Sequence, residues 1–295
     1  MKAAPIFTGA ATALVTPLNR NGIDYAAMDS LINWQIDQGI NALVIAGTTG
    51  EGSTLTDEEH RDVIRHSVQV VDHRIPVIAG TGSNDTDYAI SLTRFACEAG
   101  ADAMLVVTPY YNKATQNGLV RMYTEIADAS TKPLILYNVP SRTGVNIEPK
   151  TYAALADHPM IQGIKEASGN FSKILETRAL IGDKLDLYSG NDDQIVPILS
   201  LGGLGVISVL SNVAPAMTVE ICSSFLNGDT RRSLDLQTKA SRLIQALFCE
   251  VNPIPVKAAV AAMGYGENYL RLPLTPMEAA HEEILLREMR NLDLI

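Results

Sequence analysis

Eight short apolar, β-branched-rich runs, spaced to leave room for a crossover helix after each, predict a (β/α)8 TIM barrel with a C-terminal helical extension. The runs are "IFTGAATALV" near the start, "ALVIAG" from Ala42, "IPVIAG" from Ile75, "AMLVVTP" from Ala103, "PLILYNVP" from Pro133, "MIQGIK" from Met160, "LDLYSG" from Leu185 and "LGVISVL" from Leu204. Between Ala42 and Leu204 they begin about 27 residues apart, enough for a strand and a returning helix. Continuous apolar strands are buried on both faces, which places them in a parallel sheet covered by helices. Closure is preferred to an open doubly wound sheet because of the strand count, and because neither a G-x-G-x-x-G nor a G-x-x-x-x-G-K-[ST] pattern is present.

The opening stretch "MKAAPIFTGAATALVTPLNRNG" has a lysine followed by small and apolar residues, as a secretory leader does. Pro5, Thr8, Gly9, Thr12, Thr16 and Pro17 interrupt any aliphatic core, so it reads as the first strand. After the second strand, "TDEEHRDVIRHSVQVV" supplies Thr56 as an N-cap, an acidic first turn, and Val63, Ile64, Val68 and Val71 on a helical period. The next helix, "DTDYAISLTRFACEAG", stops at Gly100, which suits a left-handed C-terminal residue. Some 80 residues follow Asn212, more than one closing helix needs, and "LDLQTKASRLIQALFCE", "IPVKAAVAAM" and "PMEAAHEEILLREMRNL" all read as helices. The expected division is a catalytic barrel over 1–225 and a helical extension over 226–295, with no low-complexity linker or repeat between them.

Composition narrows the function classes. At 46% hydrophobic residues the chain can bury a large core. A formal charge of −10, a pI near 5.0 and scattered Lys and Arg leave no basic stripe for phosphates, so nucleic acid is not an expected partner. Cys97, Cys222 and Cys249 are far apart and form no C-x-x-C pair, as in a reduced, intracellular protein. No segment approaches the roughly 18 apolar residues of a membrane span, and the expected location is cytoplasmic. His60, His66, His73, His158 and His281 show no metal-ligand spacing and read as helix-surface or loop residues; no metal site is expected. Asp57, Glu58 and Glu59 read as charge at a helix N-terminus.

In barrels of this kind reactive groups lie at the C-terminal ends of strands, which here read "GTTGE", "GTGSN", "TPYYNK", "YNVPSRTG", "KEASGN" and "SGNDD". Tyr137 ends the fifth strand and Lys165 the sixth, so the two should be neighbours. Alternation puts Lys165 on one face with Gly163 and Ile161, with Gly163 leaving a hole beneath the lysine. A lysine aimed into a barrel mouth offers imine formation with a carbonyl substrate, and desolvation would raise its neutral fraction.

"GTTGE", "YYNK", "YNVPSRTG" and "GIKEASGN", in this order on successive strand ends, together with "NPIPVK" at 252–257, resemble the dihydrodipicolinate synthase family. That family lies within the class I aldolase superfamily, which also holds N-acetylneuraminate lyase, and the likeness spans nearly the whole chain. The resemblance implies a lyase that condenses pyruvate with L-aspartate 4-semialdehyde to 4-hydroxy-tetrahydrodipicolinate, in the diaminopimelate route to lysine. It implies no cofactor beyond a covalent imine with Lys165, and a homo-oligomer, a dimer or a tetramer of dimers. Carried over by motif, Lys165 is the Schiff-base lysine and Tyr137 the proton donor and acceptor beside it. Thr48 and Tyr111 complete a proton relay, Tyr111 across a subunit interface. Thr49 holds the pyruvate carboxylate, Gly190 and Ile207 line the pyruvate pocket, and Arg142 grips the carboxylate of the second substrate. For Arg142 the ordinary reading is a solvated loop arginine; the full "PSRTG" context favours the functional one.

Members of the family inhibited by L-lysine place polar groups at positions that here read Gly52, Ser53, Asp57, His60, Asn84, Tyr88 and Tyr110. Asp57 replaces a histidine of some such members, and Tyr88 stands where their glutamate would bind the lysine amine, so lysine inhibition is expected to be weak or absent. Two other readings stay open: another pyruvate-dependent aldolase or lyase acting on a sugar acid or hydroxy-keto acid, and a non-catalytic relative that only binds a metabolite.

Overall fold

The computed structural model describes residues 4–295; Met1 to Ala3 of the expected first-strand segment lie outside the described residues. Eight parallel strands close a barrel: β1 (Gly9–Ala13), β2 (Ala42–Ile45), β3 (Val77–Gly80), β4 (Ala103–Val107), β5 (Leu134–Asn138), β6 (Ile161–Glu166), β7 (Asp186–Ser189) and β8 (Gly205–Ser208). Each pairs with its neighbours in sequence, and β8 returns to β1. Seven of the runs read from the sequence contain their strand whole, and β6 extends one residue, Glu166, past its run.

Helices α1 (Tyr25–Asp37), α2 (Asp57–Val71), α3 (Thr86–Ala99) and α4 (Gln116–Asp128) follow the first four strands. After β5 come a single turn, α5 (Pro140–Thr143), and α6 (Pro149–Leu155). After β6, β7 and β8 come α7 (Phe171–Ile181), α8 (Ile195–Ser200) and α9 (Pro215–Leu226). The extension contributes α10 (Thr230–Leu247), α11 (Ile254–Ala262) and α12 (Ala279–Arg290), and its Leu236, Leu243, Val256, Leu285 and Met289 join the same apolar core as the barrel's outer layer. A two-residue ribbon, Leu18–Asn19 against Gly22–Ile23, is an element the sequence reading missed.

Local chemistry sets the helix ends. The Thr56 hydroxyl accepts from Glu59 N at 3.2 Å while the Glu59 carboxylate accepts from Thr56 N at 2.9 Å, so two otherwise unpaired N–H groups are satisfied at the start of α2. Its inward face is His60, Val63, Ile64, Ser67 and Val71, with Val68 only half-buried. Helix α3 stops at Gly100 with φ +94, where a side chain would be strained.

Alternation sorts the strand residues into two layers. Inside the barrel, small Ala11, Ala13, Ala42 and Ala103 face large Ile135, Tyr137, Tyr188 and Ile207. The floor is closed by Phe7, whose ring stacks on Tyr188 at 4.3 Å, and the Tyr188 hydroxyl donates to the Phe7 carbonyl at 2.8 Å. Outward-facing Leu43, Ile45, Met104, Leu136 and Ile164 meet the helices.

Strand β6 departs from simple alternation. Leu134 pairs with Ile161 but Ile135 pairs with Gly163, so Gln162 is an extra residue, a β-bulge. Ile161 therefore belongs to the outer layer, contrary to the expectation that it shares a face with Lys165. Nor is there a hole at Gly163: a Cβ there would meet Ile135 Cγ1 at 3.3 Å and Tyr188 Cε2 at 3.4 Å, because those side chains close over the glycine.

Candidate active site

Tyr137 and Lys165 are register partners on β5 and β6, and both point into the barrel. Lys165 is 6% exposed, and its Nζ lies 4.2 Å from the centroid of the Tyr137 ring. Burial lowers the pKa of the amine from 10.5 to about 7; the Asp192 carboxylate opposes that shift and the Arg142 charge adds to it. Asp192 is itself buried, and its Oδ2 accepts from Val209 N at 3.0 Å and Leu210 N at 2.8 Å, which pins it beyond the end of β8. Burial pushes the Tyr137 phenol up to about 12, against the Arg142 charge and the Thr48 hydroxyl, which act the other way. At neutral pH the pair is therefore a partly neutral amine beside a protonated phenol.

The "GTTGE" turn follows β2. Ala46, just before it, and Glu51, its last residue, have left-handed φ of 55 and 54, which non-glycine residues rarely adopt. Gly52 N donates to Gly47 O at 3.1 Å and Glu51 N to Thr48 O at 3.2 Å, while the Thr48 and Thr49 amides have no acceptor among the described residues. Consecutive free amides of this kind form a concavity suited to a carboxylate. The Thr49 side chain is buried, and its Oγ1 accepts from Asn252 Nδ2 at 3.0 Å.

Arg142 projects from α5, exposed, with its Nη2 donating to the Asn252 carbonyl at 3.0 Å. It borders a cavity of about 350 Å³ whose walls include Thr48, Gly52, Ser53, His60, Tyr88, Tyr110 and Tyr137. Lys165, Thr49, Gly190, Ile207 and Tyr111 are not among those walls. Ile207 lies inside the barrel with Tyr137 and Tyr188. Gly190 N donates to Glu166 O at 2.8 Å, and a Cβ at Gly190 would come within 2.8 Å of Ala167 Cβ, so the chain passes too closely for any side chain. Tyr111 is 92% exposed, with φ +70, and a single chain does not bring it to the others.

One histidine departs from the surface placement its helix position suggests. His60 is buried, not on a helix surface, and its Nε2 meets the Gly80 carbonyl at 2.8 Å; desolvation lowers its pKa. No group of three or more His, Cys, Asp and Glu side chains among the described residues could hold a metal ion.

The sequence reading gave no role to several buried polar residues around the site. Glu166, on the outer face of β6, accepts from Asn138 Nδ2 at 3.1 Å, the Tyr152 hydroxyl at 3.2 Å and Ser168 N at 2.7 Å. Lys257 forms a buried ion pair with Glu51 at 2.6 Å. The available signal was a single lysine inside the otherwise apolar "IPVKAAVAA", since a buried charge demands a partner.

A sequence profile of the Dihydrodipicolinate synthetase family matches residues 6–291. The chain belongs to that family. The 4-hydroxy-tetrahydrodipicolinate synthase of Alkaliphilus oremlandii is 53% identical over 98% of this chain and 100% of its own. That of Lachnoclostridium phytofermentans is 54% identical over 98% and 99%. Among solved structures, dihydrodipicolinate synthase from Thermotoga maritima superposes with a TM-score of 0.96 at 41% identity, covering 99% of this chain and 100% of that one.

Proposed function

We propose that the chain condenses pyruvate with L-aspartate 4-semialdehyde to give 4-hydroxy-tetrahydrodipicolinate, the activity for which its relatives are named, in the diaminopimelate route to lysine. The observation that carries this reading is the buried Lys165 amine, with a pKa near 7, lying against the Tyr137 ring. The neutral amine adds to the ketone carbon of pyruvate, and loss of water leaves an imine. Removal of a methyl proton gives an enamine, whose carbon attacks the aldehyde carbon while the aldehyde oxygen takes up a proton. The amino group of the second substrate then displaces the Lys165 nitrogen, closing the ring and freeing the enzyme.

Each further residue has a task in that sequence. The Tyr137 phenol, protonated at neutral pH, gives and takes the proton beside the imine. Thr48 and a Tyr111 from a second copy complete the relay, a role supported by the outward, left-handed placement of Tyr111. The Thr49 turn receives the pyruvate carboxylate, Gly190 and Ile207 border the pyruvate, and Arg142 binds the carboxylate of the aldehyde. Lys165 carries the substrate covalently, so the reaction takes no external cofactor. We assign residues 1–225 to the catalytic barrel and 226–295 to the extension. The working form is a cytoplasmic homo-oligomer, a dimer or a homotetramer built of dimers. No helix among the described residues is long and apolar enough to cross a membrane.

The test is to incubate the protein with pyruvate and borohydride, map the adduct, and then compare aldehydes as second substrates. The expected result is one adduct, on Lys165, and fastest turnover with L-aspartate 4-semialdehyde. An adduct elsewhere sinks the mechanism, and faster turnover with a sugar aldehyde sinks the substrate assignment.

A further inference from the structure

Buried contacts tie the C-terminal extension to the turn that follows β2. Lys257, on α11, has 2% of its side chain exposed and its partner Glu51 has 1%. The amine donates to Glu51 Oε1 at 2.6 Å and to the Thr16 carbonyl at 2.9 Å. Glu51 Oε2 accepts the Arg271 backbone N–H at 3.2 Å, and the Thr16 hydroxyl donates to Gly50 O at 2.7 Å. Asn252, five residues before Lys257, reaches both carboxylate grips at once. Its Nδ2 donates to Thr49 Oγ1, and its carbonyl accepts from Arg142 Nη2, each at 3.0 Å.

Stability alone is a poor reason for this arrangement. Two charges withdrawn from water gain little over well-packed apolar side chains, and α11 is otherwise apolar. Geometry offers a better one. Glu51 is held in the left-handed region, a conformation that persists where surroundings over-determine it, and its side chain is the one that Lys257 locks. Thr49 stands two residues before it. Arg142 is exposed and long, and without an acceptor its guanidinium would range over many rotamers.

We propose that Asn252 and Lys257 are positioning residues, through which the 252–257 segment of the extension fixes the Thr49 turn and the Arg142 guanidinium relative to each other. Pyruvate and the aldehyde then meet with their carboxylates already at the required separation. This rests on the reading that Thr49 and Arg142 grip the two carboxylates.

Two variants test it by steady-state kinetics with pyruvate and L-aspartate 4-semialdehyde, alongside thermal melting. Asn252→Ala removes one neutral donor and leaves the backbone carbonyl in place. The double variant Glu51→Gln, Lys257→Met removes both charges together, so neither is left buried alone. In Asn252→Ala the KM for pyruvate should rise about tenfold while kcat stays within about threefold. In the double variant both KM values should rise. Folded variants with wild-type KM values, or with a lowered kcat at unchanged KM, overturn the proposal and reduce these contacts to structural ones. If the double variant does not fold, Glu51→Asp, which keeps the charge but shortens the reach to Lys257, is read by the same KM criterion beside Asn252→Ala. Borohydride labelling of the wild-type protein with pyruvate is the control: its failure would sink the reading of the site, whereas labelling with unaltered KM values sinks only this inference.

Discussion

Raising the pH from 6 to 9 in the presence of pyruvate and borohydride tests the environment of Lys165 directly, because only the neutral amine can add to the ketone. With a pKa near 7, about 9% of the amine is neutral at pH 6, half at pH 7 and nearly all at pH 9. The labelling rate should therefore climb about tenfold over that range and flatten above roughly pH 8. A lysine left at its ordinary 10.5 would instead gain about a thousandfold over the same range without levelling off. The difference comes from burial, which takes the ammonium out of water, with the Arg142 charge reinforcing it and the Asp192 carboxylate opposing it. Intact-mass measurement at timed intervals reads the rate as a gain of about 72 Da, the reduced pyruvate adduct. A rate still climbing tenfold per pH step at pH 9 would refute the claim that burial controls this amine.

Substituting the two flanking charges should move that midpoint in opposite directions: upward for Arg142→Ala, which removes a cation, and downward for Asp192→Asn, which removes an anion; movement in the same direction would contradict the assignment. Tyr137→Phe should lower kcat about a hundredfold or more by removing the proton carrier, while Lys165 can still be labelled; near wild-type turnover would acquit the phenol. L-lysine at micromolar concentration should leave activity unchanged in a coupled assay, since among the described residues no carboxylate lines the cavity that Tyr88 borders, and Asp57 is held by Arg61 at 2.9 Å; micromolar inhibition would refute this. Because the unfolded chain holds its Lys165 proton up to 10.5 and the folded one releases it near 7, this group makes stability rise with pH between those values. The group is neutral in both states at high pH and contributes nothing there; as pH falls toward 7 it imposes a growing penalty on folding, of order 5 kcal/mol over the whole interval. Urea titrations at pH 7, 8 and 9 on wild type and Lys165→Met would reveal it, and parallel pH trends for the two proteins would count against it.

The barrel was legible because each strand is short, apolar and followed by a segment with helical period, features fixed by local composition. Lys165 and Tyr137 were legible because a strand-end position dictates direction and register. Less visible were features set by contacts distant in sequence. His60 looks like a surface residue on α2 until Gly80, twenty residues later, supplies its buried acceptor. Glu51 and Lys257 lie 206 positions apart, so their pairing leaves no local trace except a charge in an apolar helix. The ribbon at Leu18–Ile23 escaped notice because four paired residues carry no periodicity to detect. Tyr111, exposed and left-handed in the loop after β4, stands apart from the other expected site residues, and nothing local in its sequence signals that separation.

The bulge at Gln162 separates the two halves of β6 mechanically. Upstream of it, Ile161 is fixed by its seat among the helices; downstream, Gly163 and Lys165 are fixed by the barrel interior, and the surplus residue absorbs the mismatch in phase. The orientation of the reactive nitrogen thus depends on the last three or so backbone steps of the strand and is insulated from how the chain enters it. A change of length in the loop before Ile161 can be accommodated at Gln162, whereas one inserted residue between Gly163 and Lys165 would rotate the nitrogen through the wall and into the helical jacket.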